Sequence, residues 1–219
     1  MVAPARRRRC TSRVNEFPES AMPEIGPLRD DELSLAFSLK QEYLDDSPFE
    51  SWQIQRSTYP DLFLAARVDG HAIGICYGWP PDAEHVSADT IVLQGIAIAE
   101  DFSGKGHESQ LLHAFESQVA MRGGNAISVG SAGGYVDHFY MKNGYAPTAF
   151  MICIPADRQI SPALTREYSV SDERSDGDLR RLYVGISRLD NTLRERLISA
   201  FDADEVIAIM DKDLTESGS

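Results

Sequence analysis

Two stretches of this chain carry residue types and spacings that could do chemistry. The first is Ile96-Ala97-Ile98-Ala99-Glu100-Asp101-Phe102-Ser103-Gly104-Lys105-Gly106, which reads as an apolar strand, a turn with two glycines and the start of a helix. A helix start offers backbone N–H groups without intrahelical partners and a partial positive charge, and glycine lets a ligand approach the backbone. The layout therefore suits a phosphate; a plain strand-to-helix turn is the simpler alternative. Two other phosphate motifs fit worse. A P-loop needs Ser or Thr directly after Gly-Lys, where Gly106 stands, and a dinucleotide fingerprint needs a third glycine where Ser109 stands. The second stretch is Phe139-Tyr140-Met141-Lys142-Asn143-Gly144-Tyr145, which puts a phenol near the end of a short helix, just before a strand. A positioned phenol can serve as a general acid; a core tyrosine packed with Phe139 is the alternative.

Other titratable residues say less. Glu84, His85 and Asp89 lie in the loop before the strand 90–99 and are candidates for a general base, with deprotonation through water as the competing route. His107, His113 and His138 fall on helical segments without metal-ligand spacing, and His71 sits in a hairpin, so no metal is expected. Cys10, Cys76 and Cys153 fit no metal spacing, and three cysteines cannot all pair. Cys76 and Cys153 lie in apolar runs and read as buried thiols.

The elements that must position these residues follow from periodicity and punctuation. Residues 23–28 read as a short strand. Asp30 or Asp31 then caps a helix with Leu33, Leu35, Ala36, Leu39 and Tyr43 on one face, and residues 49–57 follow as a second helix. Strands over 61–68 and 71–79 flank Asp69-Gly70, a two-residue hairpin signal. A strand over 90–99 leads into the glycine turn and a helix over 107–122, stopped by Gly123-Gly124. A short strand at 126–129, a helix at 135–142 and a strand at 145–154 follow. Beyond Pro155, residues 166–173 and 180–186 alternate like strands, 191–201 carry a helical stripe, and 206–210 read as a buried strand. The last strand-helix-strand run suggests a small βαβ unit.

Four of these features in this order resemble the GNAT family of N-acetyltransferases. They are the Asp69-Gly70 hairpin followed by Ile73-Gly74-Ile75, the strand 90–99, the turn and helix 100–122, and Phe139-Tyr140 with Asn143-Gly144-Tyr145. The resemblance runs from about Met22 to Pro155. It implies an α/β (α+β mixed) fold, with a central mixed, mostly antiparallel sheet flanked by helices and a C-terminal strand-helix-strand extension. It implies acetyl-coenzyme A as co-substrate, in a gap where the strands 90–99 and 126–130 splay. Ile96, Ala97 and Ile98 would hold the pantetheine arm. Ser103, Gly104, Lys105, Gly106, His107 and Glu108 would receive the pyrophosphate. An amine would attack the thioester directly, with Tyr140 as the acid for the departing thiolate.

The chain departs from the family pattern Gln/Arg-x-x-Gly-x-Gly/Ala at the phosphate turn. The aligned residues are Ser103-x-x-Gly106-x-Glu108, which puts a carboxylate where a small residue lets the pyrophosphate approach. The shifted register Asp101-x-x-Gly104-x-Gly106 recovers both glycines and breaks the flanking spacing. Gly133 stands where family members often carry asparagine.

Composition narrows the partners. The 219 residues carry 21 Lys+Arg against 34 Asp+Glu, a net charge of −13. Residues 1–21 hold five arginines and two glutamates, so the remainder carries 16 basic against 32 acidic residues, a net of −16. Such a body repels phosphate backbones, so nucleic acid is not an expected partner, while cationic amines are attracted. With four lysines, the composition is read either as salt adaptation (a halophilic protein) or as an acidic protein rich in arginine. No apolar run reaches the length of a membrane span, and the expected location is cytoplasmic. Residues 1–21 are expected to be a disordered or non-native tail, 22–155 the catalytic domain, and 156–219 the extension. That extension either mediates assembly, as in a homodimer, or completes the main sheet through 206–210, with 156–205 as an insertion. Three functions stand: an N-acetyltransferase acting on a small-molecule or peptide amine, a non-catalytic GNAT-fold module that binds coenzyme A or another ligand through a degenerate phosphate turn, and an interaction protein in which 156–219 is the functional part and mediates assembly.

Overall fold

The computed structural model describes residues 22–44, 47–81 and 89–215. Nine strands form one sheet: β1 (Glu24–Pro27), β2 (Phe63–Val68), β3 (His71–Trp79), β4 (Thr90–Ile98), β5 (Ala126–Ser131), β6 (Ala146–Pro155), β7 (Val170–Asp176), β8 (Leu179–Gly185) and β9 (Glu205–Asp213). The order across the sheet is β1-β2-β3-β4-β5-β9-β6-β8-β7. Every neighbouring pair is antiparallel except β4 and β5, which run parallel. Among the described residues six α-helices join the strands: α1 (Leu33–Tyr43), α2 (Phe49–Thr58), α3 (His107–Met121), α4 (Tyr135–Lys142), α5 (Pro162–Glu167) and α6 (Asn191–Phe201).

Local chemistry explains most of these elements. Asp69 and Gly70 take φ of 51° and 78°, as a type I′ turn requires, and β2 pairs with β3 across them. Antiparallel neighbours need only such turns, whereas the parallel pair needs a crossover, and α3 provides it. Leu111, Leu112, Phe115 and Val119 on α3 are fully buried against one face of the sheet, each stabilising the fold by roughly 1.5–3 kcal/mol. This core continues under α6 through Leu197 and Phe201. A second core lies under α1 and α2 on the other face, around Trp52, Phe63, Tyr77 and Ala97. Leu35 is 43% exposed, so the buried stripe of α1 runs through Ala36 and Leu39 instead. Cys76 and Cys153 are buried free thiols.

The segment after Pro155 departs from its sequence reading in one place. Residues 162–167 are helical, and β7 starts at Val170 rather than at 166. The reason is local: the Ser161 hydroxyl accepts from the Ala163 N–H, and Pro162 holds the first helical position.

β9 lies between β5 and β6 and pairs along its length with both. β8 and β9 run in the same direction with β6 between them and α6 as their connection, a split βαβ unit. On β9, Val206, Ala208 and Met210 point into the core, while Ile207, Ile209 and Asp211 face the other side and stay half-buried.

Truncation of the chain at Asp204 should remove cooperative folding, because it strips the ladders of β5 and β6 at once. Circular dichroism melting tests this; a native-like transition in the truncated chain would contradict the placement of β9.

Candidate active site

β4 and β5 pair from Thr90–Ala126 to Leu93–Val129 and then separate. The separation begins at a bulge. Tyr77 pairs with Gly95 and Gly78 with Leu93, so Gln94 has no partner on β3. An extra residue twists and bends its strand. Close backbone approach accompanies it: a Cβ on Gly78 would sit 2.4 Å from the Val92 carbonyl oxygen. Beyond the bulge, β4 keeps its pairing to β3 while its other edge, over Gln94 to Ile98, has no strand beside it. Those backbone groups are available to an extended ligand.

A cleft of about 300 Å³ fills this fork, lined by Gly95, Ile96, Val129, Gly130, Phe139 and Tyr140 among others. An adjoining cavity of about 470 Å³ continues along Ile96, Ala97 and Ile98 to Ser103 and Glu108. Gly104, Lys105 and Gly106 form the exposed turn beside it, with the two glycines at φ of 74° and 86°. His107 turns its ring inward, where Nδ1 is buried without a partner. Tyr43 and Tyr135 line both cavities, a role no local motif signals.

Tyr140 sits in the wall of the first cleft with 4% of its surface exposed. Its ring meets Phe139 and Tyr145 edge-on. Burial, aided by the nearby Cys76, pushes its phenol well above the ordinary tyrosine value. The phenol therefore keeps its proton at neutral pH, which suits a proton donor and not a base. The loop behind it is tied down: Asn143 Nδ2 donates to the Phe139 carbonyl at 2.8 Å, and Lys212 Nζ donates to the Asn143 carbonyl at 2.9 Å and to Glu116 at 2.7 Å.

The helix bearing Tyr140 is held by a buried pair. Ser131 Oγ donates to Asp137 Oδ1 at 2.6 Å, and Arg194, on α6, donates to both Asp137 oxygens at 3.0 and 3.3 Å. The same guanidinium explains Gly133. A Cβ there would lie 2.5 Å from Arg194 Nη1, and the backbone φ is 117°. Neither condition admits asparagine readily.

The fit to coenzyme A divides along the molecule. The open edge of β4 and the cleft suit a pantetheine arm. The phosphate end is opposed: Glu108 Oε1 accepts from Ser103 Oγ at 3.0 Å and from the Gly104 N–H at 3.2 Å, so the turn already holds an anion of its own. Glu42 and Glu100 line the same cavity. Of the base candidates, Glu84 and His85 lie outside the described residues. Asp89 lies at the opposite end of β4 from the fork, where its carbonyl accepts from the Asn125 N–H at 2.8 Å. Among the described residues, no group of three or more His, Cys, Asp or Glu could hold a metal ion, and no helix is long and apolar enough to cross a membrane.

The model of the Acetyltransferase (GNAT) family matches residues 27–145. No curated protein matches the sequence. Solved structures do match in shape. An N-acetyltransferase from Staphylococcus aureus Mu50 superposes with a TM-score of 0.55 at 12% identity, covering 89% of this chain and 99% of that one. Ard1 from Thermoplasma volcanium gives 0.53 at 15% identity, covering 78% and 100%. The ribosomal-protein-S18-alanine N-acetyltransferase from Escherichia coli gives 0.52 at 13% identity, covering 88% and 94%. At these identities the likeness concerns the fold.

Arg194→Ala should destabilise the protein by about 3–5 kcal/mol in urea melts, because it leaves Asp137 charged and buried with Ser131 as its remaining partner. A loss below about 1 kcal/mol would show that the pair does not hold α4.

Proposed function

The chain belongs to the GNAT acetyltransferase family, and from that premise we propose that it transfers an acetyl group from acetyl-coenzyme A to a primary amine, with Tyr140 as general acid. The observation that carries this reading is the forked β4–β5 pair with a protonated, buried phenol in its wall. Acetyl-coenzyme A supplies an acyl group activated as a thioester. The open edge of β4 at Ile96 to Ile98 holds the arm by strand-like hydrogen bonds and fixes the carbonyl in the fork. Orientation of this kind supplies much of the rate in a two-substrate reaction. A backbone N–H on the open edge of β4 would stabilise charge on the carbonyl oxygen. The amine forms the C–N bond as the C–S bond breaks, and Tyr140 hands its proton to the leaving sulfur. Water removes the proton from the amine in this reading, because Glu108, a carboxylate in the lining of the fork, is engaged by the Ser103 hydroxyl and the Gly104 N–H.

Tyr140→Phe keeps the ring packing and removes the proton. Turnover should fall by roughly a hundredfold, the lower end of general acid contributions, while calorimetric affinity for acetyl-coenzyme A stays within about twofold. Unchanged turnover would take Tyr140 out of the mechanism.

One observation favours the second reading, a binding module with a degenerate phosphate turn: Glu108 occupies the N–H donor of that turn. Its removal separates the readings. Glu108→Ala should tighten acetyl-coenzyme A about tenfold, roughly 1.4 kcal/mol, because it frees the Gly104 N–H and removes a like charge. Absence of binding in both proteins, at low and at molar salt, would leave the module reading standing with some other ligand.

A further inference from the structure

The face of β5, β9, β6 and β8 that points away from α3 and α6 forms the floor of a groove of about 700 Å³. Gln94, Gly130 and Ala132 line both this groove and the cleft in the fork, so the two meet at the bulge. Register partners define what runs outward from there. Gly130 lies opposite Ile209, and Ile209 opposite Ala149. One pleat on, Ile207 lies opposite Met151, Met151 opposite Tyr183, and Tyr183 opposite Asp172. Next come Cys153, Arg181 and Arg174, again mutually opposite. The floor thus carries Ile207, Ile209 and Met151 in its middle, with Ser128 and Asp211 along one side, and ends on a tyrosine and two arginines.

Like charges directly opposite each other weaken a strand pair. Arg174 and Arg181 are such a pair, on an otherwise acidic body. Arg174 is oriented on both sides: Asp172 binds it at 2.8 Å, and its guanidinium lies 4.6 Å from the centre of the Tyr183 ring. Its side chain is still one third exposed, at 33%. By strand alternation Glu205 faces the same side, one strand beyond Cys153 from Arg181. Two cations flanked by two carboxylates make little net field, so recognition here rests on guanidinium N–H groups, whose fork matches a carboxylate. All of these residues lie beyond the family match at 27–145.

We propose that this groove receives the acceptor as an extended peptide, its terminal amine at the fork and an acidic side chain against Arg181 and Arg174. The inference rests on the acyl-transfer reading and names its substrate class. Strands are spaced about 4.8 Å apart, so β8 lies about 14 Å from β5, and an extended chain advances about 3.3 Å per residue. Arg181 also lies two pleats, about 13 Å, along β8 from the residue in line with Gly130, so it is roughly 20 Å from the fork. With the reach of both side chains allowed for, the acidic residue is the fifth or sixth from the reacting amine.

The test uses hexapeptides Ala-Gly-Gly-Gly-X-Gly, with X as Asp, Asn or Lys, and 8-aminooctanoate as a small acceptor with a distant carboxylate. Acetylation is followed with the full chain and acetyl-coenzyme A, and equilibrium binding with fluorescein-labelled peptides. The Asp peptide should exceed the Lys peptide in kcat/KM by at least tenfold. Arg181→Gln should remove that preference and Arg181→Glu should invert it, with melting temperatures and acetyl-coenzyme A affinity unchanged. Equal use of the three peptides, or a preference that survives both variants, overturns the proposal and leaves acyl transfer intact. Use of 8-aminooctanoate as well as the Asp peptide overturns the peptide assignment. If no amine is acetylated but the labelled Asp peptide binds preferentially and loses that preference in Arg181→Gln, the groove stands and the acyl-transfer reading falls.

Discussion

One parallel contact in an otherwise antiparallel sheet governs this structure. Because β4 and β5 run the same way, the chain must cross over between them, and α3 is that crossing. The crossing starts where β4 ends, so the open end of the pair and the N-terminus of α3 necessarily adjoin. A bulge at Gln94 then bends β4 away while β5 is held by β9. The fork, the glycine turn and the helix start are therefore one arrangement, and the cavities that run through it follow from strand direction.

What surrounds the fork comes from the far end of the chain. β9 carries Lys212, which holds the Asn143–Gly144 turn behind Tyr140. α6 carries Arg194, which holds Asp137 on the same helix as Tyr140. Segments well separated in sequence thus fix one side chain, through ion pairs screened from water. Breaking a buried pair of this kind leaves an uncompensated charge, so each pair resists separation of the elements it joins. The region beyond the family match is part of the site's framework and not an appendage to it.

Much of this was legible in the sequence because it is local. Asp69-Gly70 demanded a hairpin, glycines at 104 and 106 a turn with positive φ, and Asn143-Gly144 a helix stop; each states its conformation within four residues. The place of Tyr140 was legible because it sits near the end of a short helix, just before a strand. Residues 162–167 were misread as loop and strand, since Ser161-Pro162 outweighed the alternation that begins at 166. Long-range features had no such signature. Nothing near Gly133 announces that Arg194 will lie against it, and nothing near Glu108 announces that its carboxylate will fold back onto Gly104. Gln94-Gly95 did carry a trace, a polar residue and a glycine inside an apolar strand, the usual mark of a bulge.

The position of β9 also bears on how the protein is made. Synthesis proceeds from the N-terminus, and β9 is the last of the described strands in chain order, yet it occupies the middle of the sheet. While the ribosome still holds those residues, β5 and β6 have nothing between them, and neither Lys212 nor its contacts behind Tyr140 exist. The N-terminal half can collapse around α1, α2 and α3, but the fork has one wall and its tyrosine no backing. Assembly of the site is thereby deferred until β9 has emerged, with two unpaired strand edges exposed until then, the kind of intermediate that chaperones shelter.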